Sequence, residues 1–148
     1  MQSKAKKVNV RFTSSRDKFA SRAGHRVRTP TEGAVCDWLV GGGLAHRHGE
    51  EIFVVKSTSN RSPMLFIPDI LLAEHIQKDG KAIVIETLHT FSPKHGGMRS
   101  FAAFCQQYRD QYFTILVAGK SQLASVHRRT CDVQVALESL STLKAILS

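Results

Sequence analysis

Leu65-Phe-Ile-Pro-Asp-Ile-Leu-Leu-Ala-Glu74 and Lys81-Ala-Ile-Val-Ile-Glu-Thr-Leu-His89 decide how this chain is read. Two apolar, β-branched runs flank the turn-rich His75-Ile-Gln-Lys-Asp-Gly80, a pattern that predicts adjacent antiparallel strands. Each run carries one acid amid apolar neighbours, Asp69 in the first and Glu86 in the second, where core packing alone would not place a carboxylate. Two such acids side by side repel unless a cation lies between them, and a divalent metal is the usual one.

The register of the pair can be worked out from the numbering, because facing residues in an antiparallel pair have a constant index sum. A tight turn at Asp79-Gly80 gives a sum of 159 and sets Asp69 opposite Thr90. A sum of 155 sets Asp69 opposite Glu86 and pairs Glu74 with Lys81 across a wider loop. Only the second brings the two acids within about 5 Å at Cβ, near enough to share a cation. Pro68 cannot donate to a ladder and predicts a bulge or an edge beside Asp69.

Upstream, Thr29-Pro-Thr-Glu32 is a helix start. Thr29 caps, Pro30 takes the first position where its missing N–H costs nothing, and Glu32 sits third. Val35, Trp38 and Leu39 form the apolar stripe, and Gly41-Gly-Gly43 ends it. Glu32 has two readings here: a capping-box residue bonding back to the Thr29 amide, or a further acid facing the strand pair. Leu44 to Glu51 is a polar connection into a strand at Ile52 to Lys56. His46 and His48 would face the same way on an extended segment, as metal ligands do, but beside Arg47, Glu50 and Glu51 they read as surface histidines.

Downstream, a helix over about Arg99 to Gln111 carries Phe101, Phe104, Cys105 and Tyr108 on one stripe, and Tyr112 to Ala118 is a strand. A helix placed between strands predicts a crossover, with the later strand parallel to an earlier one. Residues 132–147 carry Val133, Ala136, Leu137, Leu140, Leu143 and Leu147 at helical spacing, which predicts a C-terminal helix on the sheet or on a second subunit.

The net charge of +9 is concentrated at one end. Lys4, Lys6, Lys7, Arg11, Arg16, Lys18, Arg22, Arg26 and Arg28 face the single acid Asp17, while the remainder is close to neutral. Residues 1–28 therefore read as a basic, flexible arm, with one weak strand at Lys7 to Phe12, ahead of a single domain over residues 29–148. Such an arm binds phosphate backbones without reading sequence, and Lys4, Lys6, Lys7, Arg11, Arg26 and Arg28 are its candidate contacts. The three cysteines are far apart with no CxxC pair, which suggests neither a disulfide framework nor a zinc ribbon. A reducing intracellular setting follows, cytoplasmic or nucleoid-associated, although an Arg- and Ser-rich, acid-poor N-terminus also resembles an organelle transit peptide and leaves import open. No apolar run approaches the ~18 residues of a membrane span, so no membrane partner is expected.

Ile67-Pro-Asp69, Ile85-Glu-Thr-Leu88 and the helix acid Glu32, in that setting, resemble the PD-(D/E)XK (restriction-endonuclease-like) nuclease superfamily over roughly residues 29 to 120. The resemblance implies an α/β fold with an α-β-β-β-α-β core and a mixed central sheet flanked by helices. It implies a Mg²⁺- or Mn²⁺-dependent endonuclease acting on DNA, less readily on RNA, and by analogy a homodimer. Asp69, Glu86 and the carbonyl of Thr87 would hold the metal, with Glu32 assisting. Where the family carries its lysine, two residues after Glu86, this chain has Leu88. Lys94 is the favoured replacement, ahead of His89 and Lys56. A nuclease-fold module that binds nucleic acid, or serves in assembly, without turnover is the alternative expectation.

Overall fold

A computed structural model of the 148-residue chain describes residues 7–9, 19–56, 62–88 and 95–148. It is a mixed α/β structure. Its strands are β1 (Lys7–Asn9), β2 (Phe19–Ala20), β3 (Arg26–Val27), β4 (His46–His48), β5 (Glu51–Lys56), β6 (Pro63–Phe66), β7 (Ile70–Leu72), β8 (Gln77–Lys78), β9 (Lys81–Thr87), β10 (Tyr112–Ala118) and β11 (Val133–Ala136). The helices are α1 (Pro30–Gly41), α2 (His95–Gln107), α3 (Lys120–Leu123) and α4 (Thr142–Leu147).

The central sheet runs β11-β10-β9-β7-β4, with β8 paired to β9 off that path. β9, β10 and β11 run parallel to one another, whereas β7 is antiparallel to β9 and β4 antiparallel to β7, so the sheet is mixed. α2 makes the crossover from β9 to the parallel β10, as the helix between strands predicted. A second sheet, β1-β5-β6, and the β2–β3 hairpin complete the structure.

α1 starts and stops where its sequence says it should. Thr29 is the cap, its hydroxyl accepting the Glu32 amide at 3.2 Å, and Pro30 follows at the first helical position. Two apolar clusters then divide along the strand alternation. Ile70, Leu72, Ile83 and Ile85 pack with Val35 and Leu39 of α1 and Leu143 of α4, while Leu71 and Val84 pack with Phe53, Phe66, Phe101 and Phe104. Each fully buried phenylalanine or isoleucine contributes roughly 1.5–3 kcal/mol.

The expected strand over residues 65–74 divides in two. β6 joins β5 in the smaller sheet and β7 joins β9 in the larger, with the switch at Ile67-Pro68-Asp69. Both candidate registers are present in succession. Lys78 pairs with Lys81 and Gln77 with Ala82, giving 159, and Ile70 pairs with Ile85 and Leu71 with Val84, giving 155. Ala73 to Ile76 absorbs the difference. The turn itself has positive φ at both central residues, 53° at Asp79 and 76° at Gly80, the conformation a two-residue hairpin turn requires.

Four expectations are corrected. The neighbour of β7 is β4, in the segment read as a polar connection, because His46 to His48 finds ladder partners in Leu72 to Ile70. Helix α2 spans His95–Gln107, starting and ending about a turn earlier than expected. The C-terminal helix shrinks to Thr142–Leu147, because Val133 to Ala136 is a strand parallel to Ile115 to Ala118. Among the described residues of the segment expected as a flexible arm, residues 1–28, β1 pairs with β5, β2 with β3, and Arg28 with Asp69. Among the described residues no helix is long and apolar enough to cross a membrane.

Candidate functional site

The 155 register, continued one step beyond Ile70 and Ile85, brings Asp69 to Glu86. The Asp69 amide donates to Glu86 Oε1 at 3.0 Å. One Asp69 oxygen, Oδ2, accepts the Thr87 amide at 3.0 Å and the Thr87 hydroxyl at 2.7 Å. The other, Oδ1, is paired with Arg28. Glu32 enters from the first turn of α1: its Oε1 lies 3.9 Å from Arg28 Nε and takes the Arg28 amide at 3.5 Å. Glu32, Asp69 and Glu86 are each at most 4 % exposed, so the three acids form a buried cluster in which Glu32 and Asp69 share one guanidinium.

That charge arrangement explains the titration of Arg28 and Glu32. Burial opposes the Arg28 charge, yet Asp69, Glu86 and Glu32 outweigh it and hold the group above its ordinary value. Glu32 is pushed up, by burial first and by Asp69, against the lowering effect of the His48 hydrogen bond and of Arg28. Arg28 Nε has no hydrogen-bond acceptor although it is buried, so one donor of the fork is open toward Glu32 and unmet.

On its other side Glu32 touches a second cluster. Its Oε2 lies 2.8 Å from His48 Nδ1. His48 Nε2 is 3.3 Å from His25 Nδ1, which is 3.3 Å from Cys36 Sγ, and Cys36 Sγ is in turn 3.3 Å from His46 Nε2. His46 Nδ1 lies 2.8 Å from the Leu44 carbonyl oxygen. Burial lowers the His46 pKa and raises that of the Cys36 thiol, the latter against a Ser21 hydrogen bond. His46 and His48 are thus half-buried parts of a side-chain cluster, and the surface reading is corrected.

The other expected residues fall as follows. The capping-box bond from Glu32 to the Thr29 amide gives way to the Arg28 amide and His48. Lys94, the favoured stand-in for the lysine, and His89 lie outside the described residues, as do Lys4, Lys6 and Arg11. Lys56 is exposed at the end of β5 in the smaller sheet. Lys7 lies on β1, Arg26 is exposed on β3, and Arg28 points inward to Asp69, away from the free cations of an arm. Leu88 packs partly buried against the phenylalanine cluster. Sequence reasoning placed Arg28 among the arm's phosphate contacts and missed it as the partner of Asp69, and it missed His25 and Cys36 altogether. The sequence signal that leads to the last two is His46-x-His48, whose shared face needs partners from elsewhere in the chain.

One cavity of about 400 Å³ lies apart from both clusters, between α2 and the segment leading into β11, with Arg109, Arg129, Cys105 and Asp132 among its walls. The chain matches no family model, no curated protein and no solved structure.

Proposed function

We propose that the chain is a divalent-metal-dependent endonuclease that hydrolyses phosphodiester bonds in DNA on a restriction-endonuclease-like core. The observation that carries the reading is the convergence of Glu32 and Asp69 on Arg28, with Glu86 joined to them through the Asp69 amide. The order α1, β4, β7, β9, α2, β10, with β5 and β6 diverted into their own sheet, supports it. Asp69, Glu86 and the Thr87 carbonyl offer the hard oxygens that Mg²⁺ or Mn²⁺ prefers. When bound, such an ion polarises the phosphate and acidifies a water.

Arg28 holds the position of positive charge at Asp69, so a metal ion held by Asp69 would take the place of Arg28 there. A displaced guanidinium, with its Nε already lacking an acceptor, is placed to donate to a phosphate oxygen. In this reading Arg28 answers the charge developing on the phosphate that the absent lysine would answer. It supplies no base, because a guanidinium stays protonated, so a bound ion would have to acidify the attacking water enough for its proton to pass to solvent. The exposed basic residues of the N-terminal segment hold the duplex through its backbone.

The experiment is cleavage of plasmid and short duplex DNA with Mg²⁺ and with Mn²⁺, comparing wild type with Glu86→Gln, which keeps an acceptor for the Asp69 amide. Expected is a loss of more than about 100-fold, beyond the 10–100-fold typical of an outer-shell partner. Unchanged cutting by Glu86→Gln would refute the assignment. A second reading is a nuclease-fold module that binds nucleic acid without cutting it, favoured by Leu88 and by the Arg28–Asp69 pair. Salt-sensitive DNA binding with no cutting by wild type under either metal would select it.

A further inference from the structure

The cluster of His25, Cys36, His46 and His48 lies beyond the acid site and takes no part in the reading above. One ligand-type atom from each residue lies within 4.8 Å of the other three. A tetrahedral zinc ion with Zn–N of about 2.0–2.1 Å and Zn–S of about 2.3 Å separates its nitrogens by about 3.3–3.4 Å and nitrogen from sulfur by about 3.5–3.6 Å. One nitrogen pair, His25 Nδ1 to His48 Nε2, is 3.3 Å apart, and the sulfur lies 3.3 Å from His25 Nδ1 and from His46 Nε2. The full set lies within 4.8 Å, so an ion at its centre would draw the more distant ligands inward to reach tetrahedral spacing.

The outer contacts fix which ring nitrogens are available. A carbonyl oxygen only accepts, so the Leu44 contact makes His46 Nδ1 the N–H and leaves the Nε2 lone pair facing Cys36. The Glu32 carboxylate does the same for His48, whose Nε2 lone pair faces His25. A carboxylate or backbone carbonyl on the far nitrogen is the arrangement that orients histidines bound to a metal. Ser21 Oγ, 3.5 Å from the Cys36 sulfur, is placed to donate to a thiolate.

We propose that His25, Cys36, His46 and His48 bind one Zn²⁺ in a closed tetrahedral site, with Glu32, the Leu44 carbonyl and Ser21 as its outer shell. One thiolate and three imidazoles suit a borderline metal and not Mg²⁺, and four protein ligands leave no open position, which makes the site structural. Its ligands come from the β2–β3 hairpin, from α1 and from the edge strand β4. The hairpin strands are two residues long and β4 is three, so they have little ladder of their own and gain most from a cross-link. The metal thereby fastens both to the helix that carries Glu32.

The test uses the full, untagged chain. Metal analysis after equilibration in a zinc buffer and gel filtration is expected to show one zinc per chain, unchanged in His75→Ala, an exposed histidine elsewhere. Cobalt substitution is expected to give the intense visible bands of tetrahedral Co²⁺ with a near-ultraviolet thiolate charge-transfer band, and Cys36→Ser is expected to lose that band. Glu32→Gln is expected to weaken zinc binding about 10–100-fold. Should Cys36→Ser fail to fold, wild type decides alone: its urea midpoint rises with added zinc and falls with a chelator. No stoichiometric zinc in wild type, a cobalt spectrum without the thiolate band, or a urea midpoint indifferent to zinc overturns the proposal and leaves a hydrogen-bonded cluster only.

Discussion

Removing Arg28 tests whether the acid cluster stands on a cation. In Arg28→Ala the Asp69 side chain, 2 % exposed, keeps the Thr87 amide and hydroxyl but loses its counter-charge. Breaking a buried pair from one side costs about 3–5 kcal/mol. The 22 % exposure of the Arg28 side chain and the two surviving bonds reduce this to about 2–4 kcal/mol. Asp69→Ala is costlier, because the Thr87 amide and hydroxyl also lose their acceptor at about 1–3 kcal/mol per unmet donor. The double variant is expected to be milder than the sum of the two by about 1–3 kcal/mol, the coupling of residues in contact. Urea denaturation of the four proteins gives all three numbers. Repeating the series in Mg²⁺ adds the functional arm. A divalent ion that takes the place of the guanidinium stabilises Arg28→Ala more than wild type, as any ligand of the native state does. If Arg28→Ala stays within about 0.5 kcal/mol of wild type, or if Mg²⁺ acts equally on both, the exchange of arginine for metal at Asp69 is refuted.

Two further outcomes follow from the backbone and from burial. Gly80→Ala places a side chain at φ 76°, where the added carbon meets nothing within 4 Å, so the penalty is conformational alone, about 1 kcal/mol, read as a lowered urea midpoint. The thiols of Cys105 and Cys131 are pushed up by burial to about 12 and about 11, so near neutral pH both stay protonated and the native chain resists maleimide at these positions until it is unfolded. Mass spectrometry of tryptic peptides labelled before and after denaturation checks this, and rapid native labelling at either cysteine would contradict it.

Local chemistry made part of the fold legible. The Thr29-Pro30 start of α1, the unbroken β-branched runs of β9 and β10, and the Asp79-Gly80 turn each carry their own signal, and the structure follows them. The missed elements depend on partners. β4 is three polar residues that become a strand only because β7 offers a free edge. The spacing of Val133, Ala136, Leu137 and Leu140 fits a helix, while Val133 and Val135 fit a strand equally. The open edge of β10 decides in favour of the strand. The register question was sharper: Ala73 to Ile76 lets the tight turn keep 159 while Asp69 reaches Glu86 through 155.

Legibility was poorer at the site, because its cations and soft ligands are scattered over short, unpatterned segments. Asp69 and Glu86 stand out as acids in apolar runs, whereas Arg28 looks like one more residue of a basic stretch and Cys36 like an ordinary helix residue. The structure also contains an internal control. Asp132 grips Thr114 as Asp69 grips Thr87: Oδ2 takes the threonine amide at 2.9 Å and its hydroxyl at 3.2 Å. Among the described residues Asp132 enters no ion pair, so the aspartate–threonine grip is a way of fixing neighbouring chain segments and carries no chemistry by itself. What separates Asp69 from Asp132 is the company of Glu86, Glu32 and Arg28. Glu32 is the decisive member, because its two oxygens face different clusters, Oε1 the arginine at the acids and Oε2 the histidine of the sulfur–imidazole group. A metal ion among those imidazoles fixes His48 as a donor and holds Glu32 in place. If the proposed zinc is bound there, the charge available to the acid site depends on it, because Glu32 is the side chain that joins the two clusters at the head of α1.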